Sequence, residues 1–285
     1  MARFPSLLTG FLVLSIAAVG QAQTLGGASD GARREVSGQL GASINNAGLQ
    51  NTVGISWTWP LSSSDHPLLK DAHISTGISN SLTPAQTRLG GWLEVSPLSI
   101  LDVRAGVDPS AYFGTFNSLQ SFDSYDQPFD KDARDARGGA RAGTGTRTYV
   151  APTLKLKAGP IVAAATSEFE WWRSNAPGVM FYEPTRDTLL KSGGDRLVTT
   201  TSVVMYQRPM ASGTLSAGLI YNFMNVFDAP GNRIRKLGVI GVREFAGRRF
   251  HLPNARLTMV VSKYLEDPSK EGQWTAAMAV GFRTR

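Results

Sequence analysis

The 285-residue chain contains no cysteine. Disulfides, thiolate metal sites and cysteine nucleophiles are therefore excluded. Histidine is nearly as scarce, with only His66, His73 and His251 present. His66 and His73 lie across an expected turn and strand start, which is not the spacing of a helical metal pair. No metal site and no cofactor is expected. Long apolar runs are missing beyond the N-terminal stretch, so no later segment reads as a membrane-crossing helix. Sustained helical periodicity is absent too. Lysine and arginine outnumber acids 29 to 22, for a formal charge of +7. They are scattered among the acids, with no polybasic block, helix-turn-helix pattern or zinc-finger spacing. Nucleic acid is not expected as a partner.

The N-terminus is organised differently from the rest. Arg3 provides a basic start, residues 7–19 form an apolar run, and Gly20-Gln21-Ala22 supplies small residues ahead of a cleavage point. This pattern predicts a secretory signal peptide over residues 1–22, cut after Ala22. Its apolar run is shorter than the roughly 20 residues that a spanning helix needs. Residues 23–35 are rich in Gly, Ala, Ser and charge, and read as a flexible lead-in. An exported chain with no spanning helix is soluble, surface-attached or a barrel.

From residue 36 to residue 285 the dominant pattern is alternation with a period of two. Val53, Ile55, Trp57, Trp59 and Leu61 oppose Gly54, Ser56 and Thr58. Leu101, Val103, Ala105 and Val107 oppose Asp102, Arg104, Gly106 and Asp108. Leu215, Ala217, Leu219, Tyr221 and Phe223 oppose Thr214, Ser216, Gly218 and Asn222. In the stretch 234–245 the phase is imperfect. Twelve such runs of roughly 8–14 residues can be counted, against the about 9–11 that a tilted membrane strand needs. An even count suits a closed antiparallel barrel. The two longest connections, 113–146 and 174–196, both fall at odd-numbered positions, as they should if one rim carries the long loops.

Alternation alone also fits a soluble sandwich or lipocalin-like barrel. Three features favour an all-β, antiparallel transmembrane barrel. The strands are long. One face is bulky and apolar, while the other is Gly, Ser, Thr and isolated charge. Aromatic residues cluster near strand ends: Trp57, Trp59, Trp92, Tyr112, Tyr149, Trp171, Trp172, Tyr221, Phe223, Trp274 and Phe282. Membrane barrels concentrate such residues at both interfaces.

The last run places Trp274, Ala276, Met278, Val280 and Phe282 on one face. This ladder resembles the C-terminal strand of bacterial outer-membrane β-barrel proteins, a likeness of architecture over about residues 36–285. The resemblance implies that the barrel assembly machinery reads Phe282, and that outer-membrane lipid surrounds the chain. The sequence departs from the pattern in that Arg283-Thr284-Arg285 follow the phenylalanine.

Charge on the polar faces gives the candidate lumen: Asp102, Arg104, Lys155, Lys157, Glu168, Glu170 and Arg256. Facing lipid, Arg or Lys near the midplane would cost roughly 2–4 kcal/mol, so these residues should face inward. They either pair across a closed interior or line a wet channel. In the loop 113–146, Arg134, Arg137 and Arg141 are candidates for contact with lipopolysaccharide phosphates or for an inward constriction. In the loop 174–196, Glu183, Arg186 and Asp187 lie beside apolar residues, which suggests packing into the barrel mouth. No Gly-x-Ser-x-Gly elbow occurs, and the histidines fall near the short-connection rim, so an enzyme is not expected. The expected function is a porin-like passive channel or transporter for small solutes. The alternatives are a non-conducting structural or surface-interaction barrel and an outer-membrane lipid-modifying enzyme.

Overall fold

A computed structural model of the protein describes residues 32–45, 48–229, 231–249 and 251–284. The expected signal peptide, its cleavage point and most of the lead-in lie outside the described residues. The main sheet comprises β1 (Arg33–Ile44), β2 (Gly48–Pro60), β3 (His73–Leu82), β4 (Gln86–Leu98), β5 (Leu101–Phe113) and β6 (Ala142–Ala158). It continues with β7 (Ile161–Ser174), β8 (Asp195–Met210), β9 (Gly213–Val226), β10 (Arg233–Phe245), β11 (Arg256–Glu266) and β12 (Trp274–Arg283). These strands pair in sequence order, and β1 pairs with β12 to close the barrel. All neighbours are antiparallel. The seam runs from Ser37 opposite Arg283 to Ile44 opposite Ala276. Arg283 Nε meets Glu35 Oε1 at 3.0 Å on the seam's inner face. On the outer face the Phe282 ring lies over Gly38, where an added Cβ would come within 2.3 Å of it. Strand β1 begins at Arg33, three residues into the expected lead-in.

Exposed apolar residues face outward at mid-height on most strands. Leu40, Val53, Ile78, Leu89 and Val107 mark β1 to β5, and Val204, Leu219, Val239, Met259 and Val280 mark β8 to β12. A girdle of this extent far exceeds the apolar patches that a soluble monomer shows to water. Closure satisfies every strand edge internally, which lipid requires because it offers no hydrogen-bond partners. The chain is a transmembrane β-barrel. Outward-facing cations such as Arg34, Arg208, Arg173 and Arg196 sit near strand ends, where they can reach the headgroups.

Four of the eleven aromatic residues expected at the interfaces face the lumen instead: Trp92, Tyr112, Tyr149 and Trp172. The physical reason is space or a polar partner inside. Gly77 leaves room for the Trp92 ring, and Gly106 for the Tyr149 ring. Trp172 Nε1 donates to Glu170 Oε2 at 2.7 Å.

Both long connections lie at the rim opposite the ends Arg33 and Arg283. Between β5 and β6, the connection holds a short helix α1 (Lys131–Arg137) that the period-two reading did not anticipate. Asp130 caps it, its side chain accepting from Ala133 N at 3.0 Å. The β7–β8 connection contributes two short strands, Met180–Glu183 and Thr188–Lys191, which join Ser121–Phe122 in a three-stranded sheet. This sheet is inside the barrel. Phe181, Tyr182, Leu189 and Leu190 are fully buried. Phe181 and Leu190 pack with Tyr112, Trp172, Leu197, Met224 and Ile234 from the inner wall. The loops therefore form a plug with its own apolar core, cast against β5 and β7 to β11.

Candidate functional site

The plug meets the wall through charge. Its tip, Pro184-Thr185-Arg186-Asp187, links the two short strands, with Glu183 paired to Thr188. Glu183 Oε1 accepts from Thr185 N at 3.0 Å and from Thr185 Oγ1 at 2.6 Å, which fixes the turn. The Tyr112 hydroxyl and Gln86 Nε2 also donate to Glu183, so its carboxylate is bound by two wall strands. Arg186 Nη2 reaches Glu170 at 2.6 Å and Glu168 at 2.9 Å, and Arg186 Nε reaches Glu170 at 3.1 Å. The alternation of β7 aims both glutamates inward. Glu168 lies six positions below Ser174, about 20 Å along the strand at roughly 3.3 Å per residue, so the tip reaches well into the barrel.

Arg147 on β6 extends the network. Its Nη2 meets Asp108 Oδ2 at 2.6 Å, and its Nη1 meets Glu168 Oε1 at 3.2 Å. Asp187 occupies a left-handed backbone conformation, φ 52°. Lys270, from the β11–β12 connection, and the Tyr182 hydroxyl donate to its carboxylate, and Arg134 Nη1 lies 3.6 Å away. Burial alone would raise the Asp187 pKa. The Lys270 and Arg134 cations outweigh it and hold this carboxyl below the usual range. Burial and the Asp187 charge push the Tyr182 hydroxyl well above its ordinary value, keeping it a donor.

A second cluster lies at the other rim. Lys155 Nζ meets Asp102 Oδ1 at 2.7 Å, and Arg104 Nη2 meets Glu94 Oε2 at 2.7 Å. The Arg104 guanidinium also stacks 4.2 Å from the Trp92 ring centre. Ser96 Oγ lies 3.2 Å from His73 Nε2, and His73 Nδ1 is 2.8 Å from the Asp71 carbonyl. This pairing has the look of a serine–histidine dyad. However, Ser96 Oγ donates to Asp102 at 2.7 Å, and Ser96 is only 1% exposed.

The seven lumen candidates all stand on the inner face. Asp102 and Lys155 pair with each other, Arg104 pairs with Glu94, and Glu168 and Glu170 hold the plug tip. Arg256 lies 4.0 Å from Glu244. Lys157 is exposed and donates to Gln207 at 3.2 Å. Of the loop candidates, Glu183, Arg186 and Asp187 meet at the plug tip. Arg134 is buried within the plug, its guanidinium 4.1 Å from the Tyr182 ring centre. Arg137 stacks on Phe122, and Arg137 and Arg141 are exposed. Sequence reasoning passed over Arg88, Glu94, Asp108 and Lys236 as site residues. The phase of β4 and β5 would have found Arg88, Glu94 and Asp108, which share a face with neighbouring inward positions, whereas the imperfect phase of β10 hides Lys236.

The remaining wall differs. On β12, β1 and β2, and at the plug end of β3, the inward residues are small or polar and keep partial exposure: Ser37, Gly41, Ser43, Thr52, Ser79 and Ala279 among them. Gln39 on the same inner face is exposed. The plug's apolar core does not extend to this wall.

No family model and no curated protein matches the sequence. Several solved structures are similar in overall shape. The beta domain of the Bordetella autotransporter BrkA has 12% identity and a TM-score of 0.42, over 89% of this chain and 99% of that one. The NanC porin has 8% identity and a TM-score of 0.42, over 87% and 98%. The translocator domain of the autotransporter NalP from Neisseria meningitidis has 11% identity and a TM-score of 0.38, over 92% and 90%.

Proposed function

We propose that the protein is a narrow passive channel for small solutes in a bacterial outer membrane, without a catalytic role. The observation that carries this reading is the asymmetry of the lumen. A plug fills the side of β5 and β7 to β11, while β12, β1, β2 and the plug end of β3 keep small and polar inner residues with partial exposure. Water running along that wall provides a path, and the plug keeps it narrow. Export under the expected signal peptide, an even strand count and long connections gathered on one rim support the location. On this reading the long-connection rim faces outward. Lipid covers the girdle, and the assembly machinery engages the β12 strand at Phe282.

The test is conductance of the refolded protein in a planar lipid bilayer. Steady single-channel steps, smaller than those of an unplugged barrel, are expected, and removing residues 184–187 should enlarge them. Insertion without conductance overturns the channel and leaves a structural barrel.

A further inference from the structure

We propose that Arg88 is an oxyanion-binding subsite on this path, so that the favoured solute carries a carboxylate or a phosphate-type group. The inference rests on the channel reading and deepens it. Three arginines meet at the level of the plug tip. Arg147 and Arg186 are saturated by Asp108, Glu168 and Glu170. Arg88, on the inner face of β4, is only 7% exposed, yet its Nη1 has no hydrogen-bond partner. Among the described residues it forms no ion pair. A buried charge without a partner is costly, and a planar guanidinium is shaped to take two oxygens of one oxyanion at once.

The surroundings fit such a ligand. Arg88 stands in register with Ser81 of β3 on one side and Ser110 of β5 on the other. Ser81 accepts from Gln50 Nε2 at 2.6 Å. Ser81 and Gln50 keep partial exposure and belong to the hydrated wall, so the guanidinium sits where the path borders the plug. Its charged neighbours include the cations Arg147 and Arg186 and the carboxylates Asp108, Glu183 and Glu168. Asp108 and Glu168 are engaged by Arg147 and Arg186, and Glu183 by Tyr112, Gln86 and Thr185, so Arg88 Nη1 is left open to an oxyanion.

The experiment is calorimetric titration of the refolded protein with sodium acetate and, separately, with inorganic phosphate at constant ionic strength. Wild type, Arg88→Gln and Arg88→Lys are compared, with folding checked by heat-modifiable mobility on gels. Saturable binding of at least one anion to wild type is expected, at least tenfold weaker in Arg88→Gln. Arg88→Lys, which keeps the charge but loses the fork, should fall between. The anion that binds identifies the solute's group. If Arg88→Gln does not fold, the Arg88→Lys comparison decides. No saturable binding of either anion, or binding unchanged by the folded variants, overturns the subsite. Bilayer conductance separates the two readings: binding without conductance removes the channel and keeps the subsite, and conductance without binding does the reverse.

Discussion

The wall of β12, β1 and β2 and the wall of β7 to β11 are built on the same alternation and differ in what their inward residues are asked to do. On the first, inward positions such as Gly41, Ser43, Thr52 and Ala279 are small or polar and keep partial exposure. On the second, Val162, Val203, Met205, Ile220, Ile240, Val242 and Val260 form a buried apolar cluster in the half of the lumen away from the plug. Nearer the plug rim, Leu197, Met224, Val226 and Ile234 pack against its core. One side of this barrel therefore behaves like the interior of a soluble protein, and the other like a hydrated surface folded inward. Stability should reside on the packed wall of β7 to β11 and permeation on the wall of β12, β1 and β2.

The largest effect should come from the joint between them. Arg186→Ala removes the plug's anchor and leaves Glu170 buried with one fewer cation. Breaking a buried pair in this way typically costs about 3–5 kcal/mol. Denaturant unfolding should show a loss of that order, and single-channel conductance should rise several-fold as the tip swings free. A stability loss with unchanged conductance would mean that the plug stays seated without Arg186.

Next in size is the packed wall. Ile240→Ala opens a cavity in the buried cluster and should cost about 2–5 kcal/mol in unfolding, with conductance unaltered. Its counterpart is Gln39→Trp, which places a bulky ring on the hydrated wall. That substitution should reduce conductance by about half while stability moves by no more than about 0.5 kcal/mol, as for other surface changes. If the two variants exchange their effects, the lumen has been divided along the wrong line.

The barrel itself was legible in the sequence because lipid imposes a strict rule on the outer face. Leu40, Val53, Val107 and Val280 alternate with small or polar residues, and the count and order of strands follow from that alone. The inner face obeys no such rule. In β10 the inward Ile234, Ile240 and Val242 are as apolar as the outward Leu237 and Val239, which is why the alternation blurs over 234–245. The inward turn of Tyr112, Tyr149 and Trp172 is hidden for the same reason, since an aromatic ring suits an interface as well as a plugged lumen. The excess of apolar residues around Glu183, Arg186 and Asp187 pointed to a loop packed inside. Nothing local indicated which wall residues would meet it, because Glu168, Glu170, Asp108 and Arg147 are brought together by closure of the sheet.

The latch at Asp187 gives a pH test of modest size. Its carboxyl is held below the ordinary range, so its contribution to stability is present above the unfolded-state value of about 3.9 and is lost as pH falls through the lower folded value. Conductance should stay flat from neutral pH down to about 4 and increase only in stronger acid. The variant Lys270→Met removes the cation that outweighs burial, and the onset of opening should then move to higher pH.

The smallest effect is expected at Lys236, which tests whether charge on the packed side contributes anything at all. Lys236 is 2% exposed on the inner face of β10, 5.3 Å from the Tyr264 ring centre, and forms no ion pair among the described residues. The nearby Asp187 is already held by Lys270 and Arg134, while Asp267 Oδ2 has no hydrogen-bond partner. If Lys236 is only a desolvated cation on an apolar wall, Lys236→Met exchanges it for a side chain of similar length that the wall accepts, and unfolding free energy should stay the same or rise slightly. A loss above about 2 kcal/mol would instead mean that Lys236 balances Asp267 at the end of the neighbouring strand, since stranding a buried carboxylate carries a penalty of at least that size. The packed wall would then be an electrostatic structure as well as an apolar one.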